Sequence, residues 1–162
     1  MTAFADNTGA GYDKANTSAI NLRFKHQLAK IVINVANGAG IPNLTGLTVS
    51  IEGMNTNADF DLKGTAGITN ISEIVAITPF DAGSNNYEAI LLPVTLNNTH
   101  VVRFTVGGNT YIWTISNNNN NITAFESSKK YTFNVTINKE EVQVTGAIDV
   151  WENGGSGTGI GN

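Results

Sequence analysis

Residues 20–35 read INLRFKHQLAKIVINV, and this stretch decides the class of fold. Ile20, Leu22 and Phe24 alternate with Asn21, Arg23 and Lys25, so one parity is apolar and the other polar. A period of two is that of a half-buried strand, whose successive side chains point to opposite faces. The alternation continues to His26 and Leu28, after which Ile31, Ile33 and Val35 carry the apolar face on the other parity. A pleated strand cannot change parity without an extra residue. A β-bulge or a sheet-to-sheet crossing is therefore expected near Ala29-Lys30.

The same period spreads outward along the chain. Leu47, Val49 and Ile51 alternate with Thr48, Ser50 and Glu52. Residues 55–70 read as loop with a short strand at Phe60–Leu62, and Ile71–Ile77 as a short strand ended by Pro79. A longer strand, Tyr87–Leu96, is interrupted by Pro93, which cannot donate to a ladder and so marks a bulge, a strand end or an edge. Val102-Phe104-Val106, then Gly107-Gly108-Asn109, then Tyr111-Trp113-Ile115 predict a hairpin, because glycine supplies the positive φ of tight hairpin turns. Five asparagines, 117–121, predict an exposed loop. Tyr131, Phe133, Val135 and Ile137 share a face, Asn138–Glu141 turns, and Val142, Val144, Ile148 and Val150 complete the pattern. About eight strands result, with no helix long enough to cross between parallel strands. The expected fold is all-β, an antiparallel β-sandwich of Greek-key type. Residues 19–152 form its single domain, between a flexible segment 1–18 and a flexible Gly-rich tail 153–162.

Composition narrows the function. The 162 residues include no cysteine, which removes thiol nucleophiles, thiolate metal sites and disulfides. Charged residues are 14%, against ~25% in ordinary soluble proteins, so Asn, Thr, Ser and Gly carry solubility, as in many secreted β proteins. The net charge of −4 and the lack of a basic cluster argue against nucleic acid as a partner. No apolar run approaches the ~20 residues of a membrane-spanning helix. Met1–Lys14 lacks the layout of a signal peptide, which leaves a cytosolic protein or a mature portion with an added start Met.

Catalysis needs a nucleophile, a base or a metal held by other groups. His26 falls on the inward parity with Leu22 and Phe24 and reads as a core histidine, while His100, in Asn97-Asn98-Thr99-His100, reads as a solvated turn residue. Neither has metal-ligand spacing. Asp6-Asn7-Thr8-Gly9 resembles a calcium loop but lacks its alternating ligands and closing Glu. Asp59 and Asp61 could pair for glycoside hydrolysis, although neighbouring loop acids are more often simply solvated. Gly38-Ala39-Gly40 leads to Pro42 and a strand, so it does not make a phosphate cradle at a helix N-terminus. Trp113, Trp151, Tyr111 and Tyr131 could line a sugar-binding face, with Trp151 out of step with Ile148 and Val150. Asn-x-Ser/Thr triplets at Asn43 and Asn134 are expected by chance in such a chain. No catalytic residue, cofactor site or metal site is assigned.

Motifs beyond composition carry a resemblance. Residues 22–35, LRFKHQLAKIVINV, are similar to an "L-x-F-x-H-x-L-A-K" signature followed by alternating apolar residues in fimbrillin-like proteins of Bacteroidales. In the family's order follow Ile51-Glu52-Gly53-Met54, Phe60-Asp61-Leu62-Lys63-Gly64 and Ala89-Ile90-Leu91-Leu92-Pro93. Lys129-Lys130-Tyr131-Thr132-Phe133-Asn134-Val135 resembles its "G-K-x-Y-x-Y-x-V" strand, with Ser128 in place of the usual Gly. Ala147-Ile148-Asp149-Val150-Trp151 resembles its closing motif. The resemblance implies a transthyretin-like sandwich in a surface pilin or adhesin, anchored to the outer membrane by a lipidated Cys. It also implies polymerisation with other pilin subunits by strand exchange after proteolytic trimming, and a host protein or glycan as possible receptor. This chain lacks the lipid-acceptor Cys and has length for one sandwich. It is therefore expected to be the C-terminal domain of such a protein or a truncated relative, with any donor strand outside it. The alternative is a carbohydrate-binding module using Trp151 and Tyr111; a hydrolase would need a cleft gathering His26 or Asp59 and Asp61.

Overall fold

The computed structural model describes residues 3, 19, 20, 22, 24–61, 67–118, 120–139 and 142–150. Among them there is no helix, and twelve strands form. They are β1 (Ala29–Asn37), β2 (Thr48–Glu52), β3 (Asn55–Phe60), β4 (Ile68–Ile74), β5 (Phe80–Gly83), β6 (Asn86–Leu91), β7 (Val94–Thr95), β8 (Val101–Val106), β9 (Asn109–Thr114), β10 (Ala124–Phe125), β11 (Lys129–Ile137) and β12 (Val142–Val150). One sheet has the order β12-β11-β1-β6-β5 and a second the order β2-β8-β9, with two-stranded pairs β3-β4 and β10-β7 beside them.

The all-β reading holds, with one instructive departure. β1 and β11 pair in parallel, Lys30 opposite Lys130 through Asn37 opposite Ile137, whereas the remaining ladders are antiparallel. Parallel neighbours need a long crossover, usually a helix, and the absence of helical periodicity had pointed away from such a pair. Here the crossover is made of strands. The chain leaves β1, builds the second sheet and returns through β10 to β11.

Alternation explains the core. Ala29, Ile31, Ile33 and Val35 of β1 and Tyr131, Phe133, Val135 and Ile137 of β11 are buried on one face. Val49 and Ile51 of β2, Val102 and Phe104 of β8 and Trp113 of β9 meet them in a single apolar cluster, so the two sheets form a sandwich. The layers touch through Trp113 and Phe133, whose ring centroids are 4.9 Å apart at an interplanar angle of 62°. Such edge-to-face contacts add to the stabilisation from buried area. Gly146 of β12 lies opposite Phe133, and a Cβ there would come within 2.8 Å of the ring, so this glycine makes room for the core's central aromatic.

Several expectations change in detail. The parity change near Ala29-Lys30 is the start of β1. Ile20, Leu22 and Phe24 are 51%, 51% and 58% exposed, so the apolar parity before the change is not a core face among the described residues. The segment is instead tied down through its carbonyls: Ser128 Oγ donates to His26 O, Ser127 Oγ to Gln27 O at 2.8 Å, and the Ser128 amide to Leu28 O at 3.1 Å. Residues 55–60, read largely as loop, are β3 in a hairpin with β4, whose register shifts between Asn57 and Asp59. Polar side chains outnumber apolar ones in β3, so no alternation announced it. Pro93 separates β6 from β7, as a residue without an N–H should. The expected hairpin of β8 and β9 forms, with Phe104 opposite Tyr111 and a turn at Gly107 and Gly108, whose φ are 58° and 77°. Leu62, Trp151 and both terminal segments read as flexible lie wholly or mainly outside the described residues.

Removing the ring at the centre of the sandwich should cost far more than removing an equally apolar surface group. Phe133→Ala is expected to lose about 3–5 kcal/mol, and Ile112→Ala, at a half-exposed position, about 0.5 kcal/mol. Urea denaturation of the two variants measures the difference.

Candidate functional site

The sheet edges are the first candidate site. A strand inside a sheet spends its N–H and C=O groups on both neighbours, while an edge strand keeps one side unpaired. β12 pairs with β11 over nine residue pairs without a register break, and no described strand pairs on its other side. Its sequence, VQVTGAIDV, contains no proline or lysine, the residues that commonly protect an edge. The opposite edge, β5, is four residues long, and its ladder with β6 is broken by a register shift between Asp81 and Gly83. In the second sheet, Ile51 of edge strand β2 bridges to Ile77, and β9 is an edge of six residues. β12 is thus the longest free edge among the described residues.

The second candidate is a cleft at the end of the sandwich where β1 and β11 finish. It has a volume of about 340 Å³. Ile41, Pro42, Asn43 and Thr45 form one wall, Tyr111 another, and Lys139 closes it. The loop after β1 is stapled to the loop after β11: Gly38 N donates to Ile137 O, Lys139 N to Ala39 O, and Ala39 N to Asn138 Oδ1, each at 2.9 Å. Gly40 adopts φ of 77°, and a Cβ there would meet the Lys139 Cβ at 2.7 Å. The glycine is required on both counts, and it lets the lysine stem lie flat along the loop. Gly38-Ala39-Gly40 is thus a loop staple beside a strand, with no helix behind it.

Each residue singled out in the sequence now has a place. His100 is a correction: it is 5% exposed, not a solvated turn residue. Its Nδ1 accepts a hydrogen bond from the Asn97 amide at 3.0 Å, so the neutral ring holds its own turn together. Burial lowers its pKa, because the imidazolium would lose solvation. His26 is half-buried and hydrogen-bonded or otherwise engaged, and burial lowers its pKa as well. The exposure of Leu22 and Phe24 removes the inward strand face on which His26 had been placed. Asp59 is exposed and accepts from Asn70 Nδ2 at 2.7 Å, and neither Asp59 nor Asp61 lines the cleft.

Of the aromatics, Trp113 is core, its Nε1 donating to Asn117 O at 3.1 Å, and Tyr131 is core, its hydroxyl accepting from the Glu126 amide at 2.9 Å. Tyr111, half-buried, is the one that reaches the cleft. Asn43 Oδ1 accepts from Thr45 N at 3.0 Å. Asn134 joins a ladder across three strands, in which Asn86 Nδ2 donates to Asn34 Oδ1 and Asn34 Nδ2 to Asn134 Oδ1. Within the asparagine run, Asn118 bonds Ile115 O and Ile122 O through Nδ2 and the Ile122 amide through Oδ1, each at 2.9 Å. The loop was legible, but its internal clamp was not. Among the described residues, no group of three or more His, Asp or Glu side chains could hold a metal, and no helix is long and apolar enough to cross a membrane.

The described residues thus form a helix-free sandwich with a long edge strand and an end cleft, with Trp113, Tyr131 and His100 spent on packing. The family follows from comparison: a model of the fimbrillin-like family matches residues 1–151, and the chain belongs to that family. It is 30% identical over 162 residues to "Putative fimbrium subunit Fim1C" of Bacteroides uniformis, covering 94% of this chain and 52% of that protein. A crystal structure of a "putative cell adhesion protein" from Bacteroides uniformis superposes with a TM-score of 0.73 at 24% identity, over 88% of this chain and 57% of that one. A second so described, from Bacteroides ovatus, gives 0.57 at 20% identity, over 81% and 48%. The chain thus spans about half the length of these relatives, and the structural likeness establishes the sandwich.

His100 sets a pH dependence with a definite sign. Its folded pKa is below the ordinary 6.5, so below about pH 6.5 the unfolded chain binds the proton first. Stability is full above that pH, falls as pH drops toward the folded value, and levels off beneath it. Thermal melts between pH 7.5 and 5 should show this decline, and His100→Gln, which cannot titrate, should reduce it to the part that His26 contributes.

Proposed function

We propose that the chain is a non-enzymatic structural subunit, or a domain of one, of a fimbrium at the bacterial cell surface. It joins neighbouring subunits by β-strand complementation. The observation that carries this reading is the edge of β12, nine residues long, in register with β11 throughout, without a proline or lysine, and unpaired on its other side among the described residues. A strand added there would gain main-chain hydrogen bonds along its length, while its alternate side chains would set specificity. Membership of the fimbrillin-like family, and similarity to a protein named as a fimbrium subunit, support the location and the role.

The exposed, alternating Ile20, Leu22 and Phe24 support the same reading. Three large apolar side chains held just ahead of β1 offer a face for a neighbouring domain or subunit to cover. The low charge content and the hydrogen-bonded asparagines fit an extracellular scaffold that stays soluble without many ions.

Hydrogen exchange read by mass spectrometry tests the assembly mode. In the isolated chain, every other amide of β12 points away from β11 and should exchange within seconds to minutes. In purified fimbriae those same amides should become protected, by a factor of about 100 or more, the equivalent of roughly 3 kcal/mol at 1.4 kcal/mol per factor of ten. Unchanged exchange across residues 142–150 on assembly would refute strand addition at this edge.

A further inference from the structure

The end cleft has a donor set that the assembly reading does not use. Lys30, Arg103 and Lys129 are committed to Glu88, Glu52 and Glu126 at 2.7–2.8 Å, and Lys130 is engaged elsewhere. Lys139 has no ion-pair partner among the described residues, and it closes the cleft. The Tyr111 hydroxyl likewise has no hydrogen-bond partner among the described residues, although its ring packs on the core. Asn43 spends its Oδ1 on the Thr45 amide, which leaves its Nδ2 without a hydrogen-bond partner among the described residues. The residues lining the cleft therefore bring to it an ammonium-bearing, a phenol-bearing and an amide-bearing side chain, together with the apolar Ile41 and Pro42.

We propose that this cleft binds the carboxylate-bearing sugar of an acidic glycan. The carboxylate is held by Lys139, and the pyranose ring lies against Tyr111 with its hydroxyls on Asn43 and Thr45. A surplus of donors over acceptors selects an acceptor-rich, anionic group. A volume of about 340 Å³ accommodates one or two sugar residues and falls at the small end of ordinary ligand pockets. A saccharide suits the site better than an extended peptide because most of the wall, from Gly40 to Thr45 with Gly107 and Lys139, is turn and loop, and the one edge strand there, β9, contributes only Asn109 and Tyr111. The site is also held in place before binding. The Lys139 stem lies against Gly40, and its own amide is bonded to Ala39 O, so little ordering remains to oppose binding. One ammonium and a few neutral donors give a single sugar a modest affinity. Recognition on a fimbrium would then rest on many copies displayed together. The proposal goes beyond the assembly reading and does not depend on it.

Titrating the isotope-labelled full chain tests this by amide chemical shifts. The probes are the methyl glycoside of N-acetylneuraminic acid, methyl β-glucuronide, neutral methyl β-glucoside, and a blocked Asp-Glu dipeptide. At least one acidic sugar should shift amides of residues 40, 41, 43–45, 106–111 and 139, with affinity at least about tenfold above the glucoside, the scale of a charge-assisted hydrogen bond. Lys139→Met keeps the stem and the fold and should lose that tenfold. Tyr111→Leu should weaken both the acidic and the neutral sugars. Four outcomes would overturn the proposal. They are no response at the cleft to either acidic sugar, equal affinity for the glucoside, unchanged binding in Lys139→Met with an intact spectrum, or a stronger response to the dipeptide.

Discussion

The parallel pairing of β1 with β11 is the contact on which the rest of the sandwich hangs. Eight residue pairs join segments about 100 positions apart, and both strands are interior to their sheet. Their inward side chains, from Ile31 and Ile33 to Tyr131 and Phe133, are buried to the last percent. Full burial of each is worth about 1.5–3 kcal/mol, and here that gain offsets closing a loop the length of most of the domain. The second sheet lies within that loop. It therefore cannot be laid on the core until the two ends have met, or must itself template their meeting. Either order makes this a slow, non-local fold compared with a helical bundle of equal size.

That arrangement also decides where partners can reach the protein. The central strands have no spare main-chain groups. β5 is short and irregular, and β2 is partly covered at Ile51. β9 is an edge of six residues, and the longest edge is β12, whose inner side is fixed by β11 and whose outer side is unpaired among the described residues. At the end of the sandwich, the same parallel alignment brings the exits of β1 and β11 together. Their loops are stapled by the Gly38 and Lys139 amides, and the cleft forms beside the staple. One pairing produces both candidate sites.

The sequence made the elements legible more readily than their arrangement. Alternation at Ile31–Val35, Val102–Val106 and Tyr131–Ile137 located the core strands, and Gly107-Gly108 located the turn, because both signals are local. β3 was largely missed because its side chains are mostly polar, and its strand character comes from pairing with β4. The parallel pair was missed because a strand-built crossover leaves no helical period. His100 was misread because a polar Asn-Asn-Thr context looks solvated, whereas the turn folds back over the ring and uses Nδ1. Ser128 shows the reverse case. It stands where the fimbrillin-like motif has Gly, and its φ of 63° explains that preference. Here the serine hydroxyl gains the bond to His26 O. The cleft was invisible because Tyr111, Asn43 and Lys139 meet only through the topology; the isolated tyrosine was the one hint.

Native-state hydrogen exchange across a low range of denaturant tests the central claim most directly. If the parallel pairing organises the sandwich, amides of β1 and β11 should exchange only through global unfolding. Their opening free energies should equal that from equilibrium denaturation and fall with its full denaturant slope. Amides of the β3–β4 hairpin should open locally, at lower free energy and with a shallow slope. The account would be contradicted if β1 or β11 opened before the hairpin, or independently of each other, while the second sheet stayed closed.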